Sequence, residues 1–168
     1  MSLSMYQASI PVCIKQLENL SNILKKGEAY AAAKKIEPEV LINARIAPDM
    51  FPLSRQVQIA ADIAKGCAAR LAGKEVPSYE DKEKTFAELQ ERIAKTIAFL
   101  KTFTPAQIDG SEERKVTLKI GGNEMVFAGQ PYLLYFVLPN VHFHATTAYA
   151  ILRHNGVDVG KKDYLGSF

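Results

Sequence analysis

The chain has 168 residues, of which 48% are hydrophobic and 23% are charged. That composition is typical of a globular domain and excludes a disordered tail or a fibrous rod. Its 21 basic and 18 acidic residues are interleaved and leave a net charge of only +3, which argues against binding to nucleic acid or to an anionic membrane. We therefore predict a single domain that spans residues 1–168.

The N-terminal sequence lacks the basic region and the long apolar run of a secretory signal. The most apolar stretch, Pro131–Leu138, is much shorter than the roughly 20 residues that span a bilayer. We therefore expect a cytoplasmic protein without a membrane segment. The two cysteines, Cys13 and Cys67, have small or apolar neighbours, which favours packed, reduced thiols and leaves a disulfide as the alternative.

The first predicted helix occupies Ser4–Lys26, where apolar residues recur every three or four positions. Pro11 falls within this pattern, so the helix either begins close to it or kinks there. Gly27 is expected to end the helix. The alanine-rich segment 28–36 then predicts a separate short helix, and the prolines within 37–52 predict an irregular link.

Helix two is predicted from Pro52 or Leu53 to Leu71, because its apolar positions fall along one line of the helical wheel. Most residues on that line are small, and we expect another helix to approach it closely. Gln56 lies at the flank of the same face, whereas Gln58 lies about 130 degrees away on a wheel of about 100 degrees per residue.

Helix three is predicted over about Tyr79–Phe103, with an apolar stripe on one side and charged residues such as Arg92 on the solvent side. Alternating polar and apolar residues over 115–120, followed by Gly-Gly-Asn, predict a small β-hairpin. Helix four is predicted over about Pro131–Asn155, and an irregular tail follows it. The predicted fold is therefore all-α: an antiparallel four-helix bundle with a small β-hairpin between helices three and four.

All three histidines lie in helix four, and the helical wheel separates them. His144 follows Asn140 by four residues, and both lie on the face that is expected to point into the bundle. His142 points to the other side, and His154 lies in the last turn. The three histidines therefore cannot bind one metal ion together. Gln56 of helix two is the candidate third polar group across the bundle.

Three interpretations of Asn140 and His144 stay open on this reasoning. In the first, the two side chains form a buried hydrogen-bonded pair that compensates the carbonyl left free by Pro139. In the second they ligate a metal ion together with Gln56, although amides are poor zinc ligands. In the third they contact a small molecule in a pocket of the bundle. No glycine-rich phosphate loop and no CxxC, HExxH or GxSxG motif is present, which removes the common signatures of nucleotide, structural-zinc and hydrolase sites.

Three stretches carry a resemblance to a known family: DMFPLSRQVQIAADIAKG, TFAELQERIAKTIAFL and FHATTAYAILRHNGV. Nearly the whole chain resembles the DinB-like superfamily of four-helix bundles, and most closely a branch known only as a domain of unknown function. Better understood members hold a divalent metal, often nickel or zinc, between a histidine of helix two and an HxxxH pair of helix four. Some of them are metal-dependent thiol transferases or isomerases.

The resemblance also implies positions for a metal site. Alignment on the downstream Leu-Arg dipeptide places the HxxxH pair at Asn140 and His144. The helix-two ligand falls at Gln56 or Gln58, and Gln56 is preferred because it lies nearer the apolar face. Only one of the three histidines is retained, and replacing two imidazoles by amides removes most of the metal affinity.

We therefore predict a DinB-like bundle protein that lacks a complete metal site, needs no cofactor and binds a small molecule or a partner in the bundle. The alternative is a divalent-metal-dependent hydrolase or thiol transferase, in which nickel or zinc is held by the modified triad. The sequence does not decide whether the protein is an enzyme. A homodimer is also predicted, because helix four carries an excess of apolar residues. The aromatic residues that lie well off its predicted core face are Tyr132, Phe136 and Phe143.

Overall fold

The structure is a computed structural model that describes residues 2–167, so Met1 and Phe168 of the predicted domain lie outside the described residues. One segment of the chain, Tyr132–Val137, is π-helical. The elements in chain order are α1 (Met5–Lys34), α2 (Pro38–Ile42), α3 (Leu53–Leu71), α4 (Phe86–Leu100), α5 (Pro105–Ile108), β1 (Val116–Ile120), β2 (Asn123–Phe127), α6 (Gly129–Pro131), α7 (Leu138–His154) and α8 (Lys161–Leu165).

Four of these helices, α1, α3, α4 and α7, form the bundle. Helix α1 packs against the other three, and α3 also packs against α4 and α7. Strands β1 and β2 form an antiparallel hairpin in which Val116 lies opposite Phe127 and Ile120 lies opposite Asn123. The prediction of a four-helix bundle with a hairpin between its third and fourth helices is therefore confirmed. Within residues 2–167, none of the helices combines the length and the apolar character needed to cross a membrane.

The small-residue face of α3 lies at the centre of the bundle. Ala60, Ala64 and Ala68 are fully buried, and so is Cys67. Small side chains let neighbouring helices approach closely, which agrees with the contacts of α3 with all three of its partners. Cys67 and Cys13 are both buried and free, and the hydrogen bond to the Cys13 thiol, together with burial, raises the pKa of Cys67 well above its ordinary value.

Helix α1 is longer than predicted, because it continues through Gly27 to Lys34. Gly27 is buried, and a Cβ atom added there would lie 3.0 Å from Leu152 Cδ2 and 3.4 Å from the ring of Phe86. The missing side chain lets these two residues pack against the helix, and that packing outweighs the roughly 1 kcal/mol by which glycine disfavours a helix interior. The predicted helix end at Gly27 and the predicted separate helix over 28–36 are therefore wrong.

Helix α4 is shorter than predicted, since it begins at Phe86 and not at Tyr79. Its start is a capping box: the Glu88 backbone N–H donates to Thr85 Oγ1 over 3.2 Å, and the Thr85 N–H donates to Glu88 Oε2 over 3.0 Å. The residues before Thr85 belong to an extended connection from α3. A Thr-x-x-Glu pattern inside an otherwise charged run was the local signal for this boundary.

Arg92 does not lie on the solvent side of α4, as predicted, but at the centre of an ionic cluster with a side chain only 1% exposed. Its Nη2 lies 3.0 Å from Asp62 Oδ1 of α3 and 2.9 Å from Asp81 Oδ1 of the α3–α4 connection. Its Nη1 lies 2.9 Å from Glu83 Oε1. Although burial lowers the pKa of Arg92, the hydrogen bond with Glu83 and the nearby carboxylates raise it by more. The α3–α4 connection is therefore bound to Arg92 of α4, which also pairs with Asp62 of α3. The helical wheel of a single segment does not show partners that come from other segments.

The predicted fourth helix is continuous but changes its winding. It passes from α6 through the π-helical segment into α7. Tyr132 in this segment is fully buried between Phe127 of the hairpin and Phe136, and its hydroxyl accepts a hydrogen bond from Arg70 Nη1 over 3.2 Å. The expectation that Tyr132 lies off the core is therefore wrong, because the hairpin covers it. Phe143 is 56% exposed, as its position on the wheel suggests.

The tail after α7 is more ordered than the predicted irregular segment. It contains α8, and the Asn19 Nδ2 group of α1 donates to the Tyr164 carbonyl over 3.0 Å. The Tyr164 hydroxyl lies 3.1 Å from His142 Nδ1 of α7. The tail is therefore held against two helices of the bundle.

Replacing Arg92 by Met is expected to lower the free energy of unfolding by about 2–3 kcal/mol, because three carboxylates lose their shared partner. The loss is smaller than for a fully buried pair, since Asp62 and Asp81 are each partly exposed and regain water. Chemical denaturation measures the change. The control is Lys101→Met at the exposed C-terminal end of α4, which should alter stability by less than about 0.5 kcal/mol. Equal stabilities of the two variants would contradict a structural role for the ionic cluster.

Candidate functional site

The candidate site joins the first turns of α3 to the middle of α7 through one hydrogen bond. His144 Nδ1 lies 2.7 Å from Gln56 Oε1. Gln56 is buried, whereas His144 is half-buried. Two of the three residues predicted for the site therefore meet across the bundle.

The orientation of the Gln56 amide sets the tautomer of His144. Gln56 Nε2 donates to the Phe51 carbonyl over 3.0 Å, and a carbonyl can only accept. Gln56 Oε1 therefore faces the imidazole, so Nδ1 of His144 carries the proton and donates it. In the neutral ring the other nitrogen, Nε2, keeps its lone pair as an acceptor for a hydrogen bond or a metal ion.

His144 is held in the neutral form by its surroundings. Burial lowers the pKa of His144 below its ordinary value, and the positive charge of Arg55 lowers it further. The ring of Phe143 meets the imidazole edge to face, with the ring centroids 5.2 Å apart. Phe51, which is also exposed, lies under the guanidinium of Arg55 at 5.8 Å. The imidazole is therefore neutral at pH 7, with a cation near it and the exposed ring of Phe143 against it.

Arg55 is itself held in place by the ionic cluster. Its Nη1 donates to Gln58 Oε1 over 3.2 Å and pairs with Asp81, the same carboxylate that binds Arg92. Gln58 is thus engaged by Arg55, and Gln56 is the glutamine that faces His144. Arg55 was not among the predicted site residues, although its position directly before Gln56 was the available signal.

Asn140 lies one helical turn before His144 but does not bond to it. Asn140 Nδ2 donates to the Phe136 carbonyl over 2.6 Å, at the end of the π-helical segment and next to Pro139. The interpretation that Asn140 and His144 form a hydrogen-bonded pair is therefore wrong, because each amide or imidazole group has another partner. The carbonyl that Asn140 satisfies is that of Phe136, not that of Tyr135, which Pro139 leaves without its helical i→i−4 donor.

A metal ion held by all three predicted residues does not fit this arrangement. Gln56 Oε1 accepts the proton of His144 Nδ1, so it orients the imidazole and does not point past it to a shared ion. Within residues 2–167, no three His, Cys, Asp or Glu side chains are grouped so that they could hold a metal ion. The metal assignment of His144, Asn140 and Gln56 stays a prediction.

The site is partly open to solvent, because His144 and Asn140 are half-buried. Four cavities of about 510, 560, 210 and 600 Å³ occur among residues 2–167, and each is lined by residues other than Gln56, Asn140 and His144. The first lies beside the ionic cluster and includes Tyr79 and Arg92. A ligand at His144 would also contact the exposed ring of Phe143.

Comparisons with known proteins agree with this fold. A crystal structure of a DinB family member from Shewanella denitrificans is 42% identical and superimposes with a TM-score of 0.87, over 97% of this chain and 92% of that chain. A search of curated proteins finds no match. The profile of a domain of unknown function (DUF1993) matches residues 5–165. Because the match covers almost the whole chain, the protein belongs to the DUF1993 family.

Proposed function

We propose that this protein binds a small molecule at His144 and does so without a metal ion. The observation that carries the proposal is the hydrogen bond from His144 Nδ1 to Gln56, which leaves Nε2 of a neutral imidazole as an acceptor. Such a nitrogen accepts a hydrogen bond from the hydroxyl or thiol of a ligand. We also propose that the protein acts in the cytoplasm as a homodimer and does not bind nucleic acid.

The side chains around His144 favour a ligand with an apolar part. Phe143 and Phe51 are each 56% exposed, which is unusual for large aromatic residues in a water-soluble surface. The ring of Phe143 offers apolar contact area beside the imidazole, and aromatic residues are common in such sites. The preferred ligand class is therefore a small apolar alcohol or thiol.

The second candidate function is a divalent-metal-dependent hydrolase or thiol transferase. One observation favours it: histidines that ligate a metal usually donate their other ring nitrogen to an oxygen acceptor, as His144 does to Gln56. In that case Gln56 would orient the imidazole of His144, and His144 together with Asn140 would hold nickel or zinc. Two protein donors, one of them an amide, make a weak site, which is why this function stands second.

Metal content separates the two candidates. We expect protein purified without a histidine tag, and dialysed against a weak chelator, to contain far less than one nickel or zinc ion per chain by elemental analysis. The variants His144→Ala and His154→Ala should not differ in metal content. Equimolar metal that only His144→Ala removes would contradict the first proposal and support the metal-dependent one.

Small aromatic probes test the acceptor directly. Benzyl alcohol and benzyl mercaptan should shift the side-chain NMR signal of His144, because each donates a hydrogen bond to Nε2 and places a ring against Phe143. Toluene has the same ring without the donor and should have a much smaller effect. The signal of His154 is the internal control. Equal shifts for all three compounds would show that His144 is not the acceptor.

The pKa of His144 gives the third test. An NMR titration should place it below the ordinary 6.5, because burial and the charge of Arg55 disfavour protonation. The contribution of the neutral ring to stability is therefore complete above pH 6.5 and is lost as the pH falls through the lowered pKa of the folded state. Arg55→Gln should raise the pKa of His144, because it removes the nearby positive charge. A pKa of His144 at or above 6.5 would contradict the burial of the imidazole and its proximity to Arg55.

A further inference from the structure

Arg70, in the last turn of α3, is a half-buried cation whose charge is not balanced within the described chain. Its Nη1 donates to the Tyr132 hydroxyl over 3.2 Å. The ion pairs among residues 2–167 involve other cations, and no carboxylate pairs with the Arg70 guanidinium. A guanidinium that has lost part of its hydration favours contact with an anion.

The two titratable groups closest in charge to Arg70 do not supply that anion. Burial raises the pKa of Tyr132 to about 12, although the charge of Arg70 acts in the opposite direction. The hydrogen bond with Cys13, together with burial, raises the pKa of the Cys67 thiol well above its ordinary value, again against the effect of Arg70. Both groups are therefore neutral at pH 7, and the positive charge of Arg70 is left for a ligand.

A glycine inside α3 provides the space for the Arg70 side chain. Gly66 is buried and lies one turn before Arg70, in a helix interior where glycine is disfavoured. A Cβ atom at this position would collide with Arg70 Nη1 and would lie 3.2 Å from its Cζ atom. The missing side chain therefore lets the guanidinium lie against its own helix, within reach of Tyr132.

Arg70 borders an open cavity between α3, β1 and the π-helical segment. Its volume of about 210 Å³ holds roughly seven non-hydrogen atoms, at about 30 Å³ for each water-sized group. Besides Arg70, one cationic and four apolar side chains line this cavity. They are Lys119, Ile63, Leu118, Ile120 and Phe136.

The cavity has a surplus of positive charge. Lys119 is exposed and, like Arg70, has no ion-pair partner among residues 2–167. Asp62 also lines the cavity, but its Oδ1 lies 2.8 Å from Lys65 Nζ and 3.0 Å from Arg92 Nη2. The charge of Asp62 is therefore already balanced, whereas the two cations are not.

The π-helical segment supplies both the residue that holds Arg70 and one wall of the cavity. Tyr132 accepts the hydrogen bond from Arg70, and Phe136 lines the cavity. Their rings stack with the centroids 5.8 Å apart. Helices of this winding are rare and occur frequently at functional sites, so the segment is a second, independent indication of a site here.

We propose that this cavity binds a small carboxylate with an apolar chain of about four to six carbon atoms, a length that its volume accommodates. The guanidinium has five N–H donors, of which Tyr132 takes one, so two parallel hydrogen bonds to a carboxylate remain available. The chain of the ligand contacts Leu118, Ile120 and Phe136. Arg70 lies about four turns, roughly 20 Å, from Gln56 along α3, so this site is separate from His144.

Four probes separate the contributions of charge and chain. Pentanoate at pH 7 should shift the methyl NMR signals of Ile63 and Ile120 in a saturable way. Pentan-1-ol and pentylamine keep the chain without the carboxylate, and inorganic phosphate carries negative charge without the chain. Each of these three should bind about tenfold more weakly or worse. The methyl signals of Ile46, exposed before the start of α3, are the internal control.

Each alternative outcome of this series overturns the proposal. Equal affinities of pentanoate and pentan-1-ol would show that the guanidinium is not used. Equal affinities of pentanoate and phosphate would show that the apolar wall is not used. The absence of a saturable shift at Ile63 and Ile120 would show that the cavity does not take a carboxylate.

Two variants test Arg70 itself. Arg70→Gln should weaken pentanoate binding about tenfold or more, because the charged hydrogen bonds are lost. Gly66→Ala keeps the charge but displaces the guanidinium, and it should also weaken binding. Its clash involves the flexible end of a side chain, so α3 tolerates the alanine even if Arg70→Gln fails to fold. The matched control is Arg45→Gln, an exposed arginine beyond the other end of α3, which should bind like the wild type. Wild-type affinity in folded Arg70→Gln or in Gly66→Ala overturns the proposal.

Discussion

The close approach of α3 to α7 is the constraint on which the rest of the molecule depends. The buried face of α3 is lined by Ala60 and Ala64, which keep the helix surfaces near each other. Gln56 lies one turn before Ala60 on the same line, so its amide reaches His144 at hydrogen-bond distance across the bundle. With larger residues on α3 the two helices would separate, and the imidazole would lose the partner that sets its tautomer. The small residues of α3 therefore determine both the core packing and the position of Gln56 in the site.

Much of this arrangement could be predicted from the sequence, because it follows from local periodicity. Spacings within single segments predict the bounds of α3 and the hairpin. They also predict which face of α3 carries Gln56 and which face of α7 carries His144. The errors have a different origin. Gly27 was expected to end a helix because glycine does so on local grounds, but here Leu152 and Phe86 pack onto it from distant segments. Arg92 was placed in solvent because its carboxylate partners come from other elements.

The chemical state of the site was also beyond local patterns. That Nδ1 of His144 is the donor follows only from the amide of Gln56, and that amide is oriented by the carbonyl of Phe51 in the preceding loop. The amide of Asn140 likewise donates to the Phe136 carbonyl of its own helix and not to His144, a choice that helical spacing alone does not decide. Residue types and their faces are therefore predictable here, whereas the assignment of donors and acceptors requires the folded chain.

Arg55 connects the ionic cluster to the candidate site. Asp81 binds Arg92 through one carboxylate oxygen and Arg55 through the other, so the α3–α4 connection positions the guanidinium next to His144. The charge of Arg55 in turn lowers the pKa of His144 and so favours a free lone pair on Nε2 at pH 7. Arg92, the buried arginine, therefore does more than stabilise the bundle. By holding Asp81, it helps to maintain the protonation state that either binding mode of His144, to a hydrogen-bond donor or to a metal ion, requires.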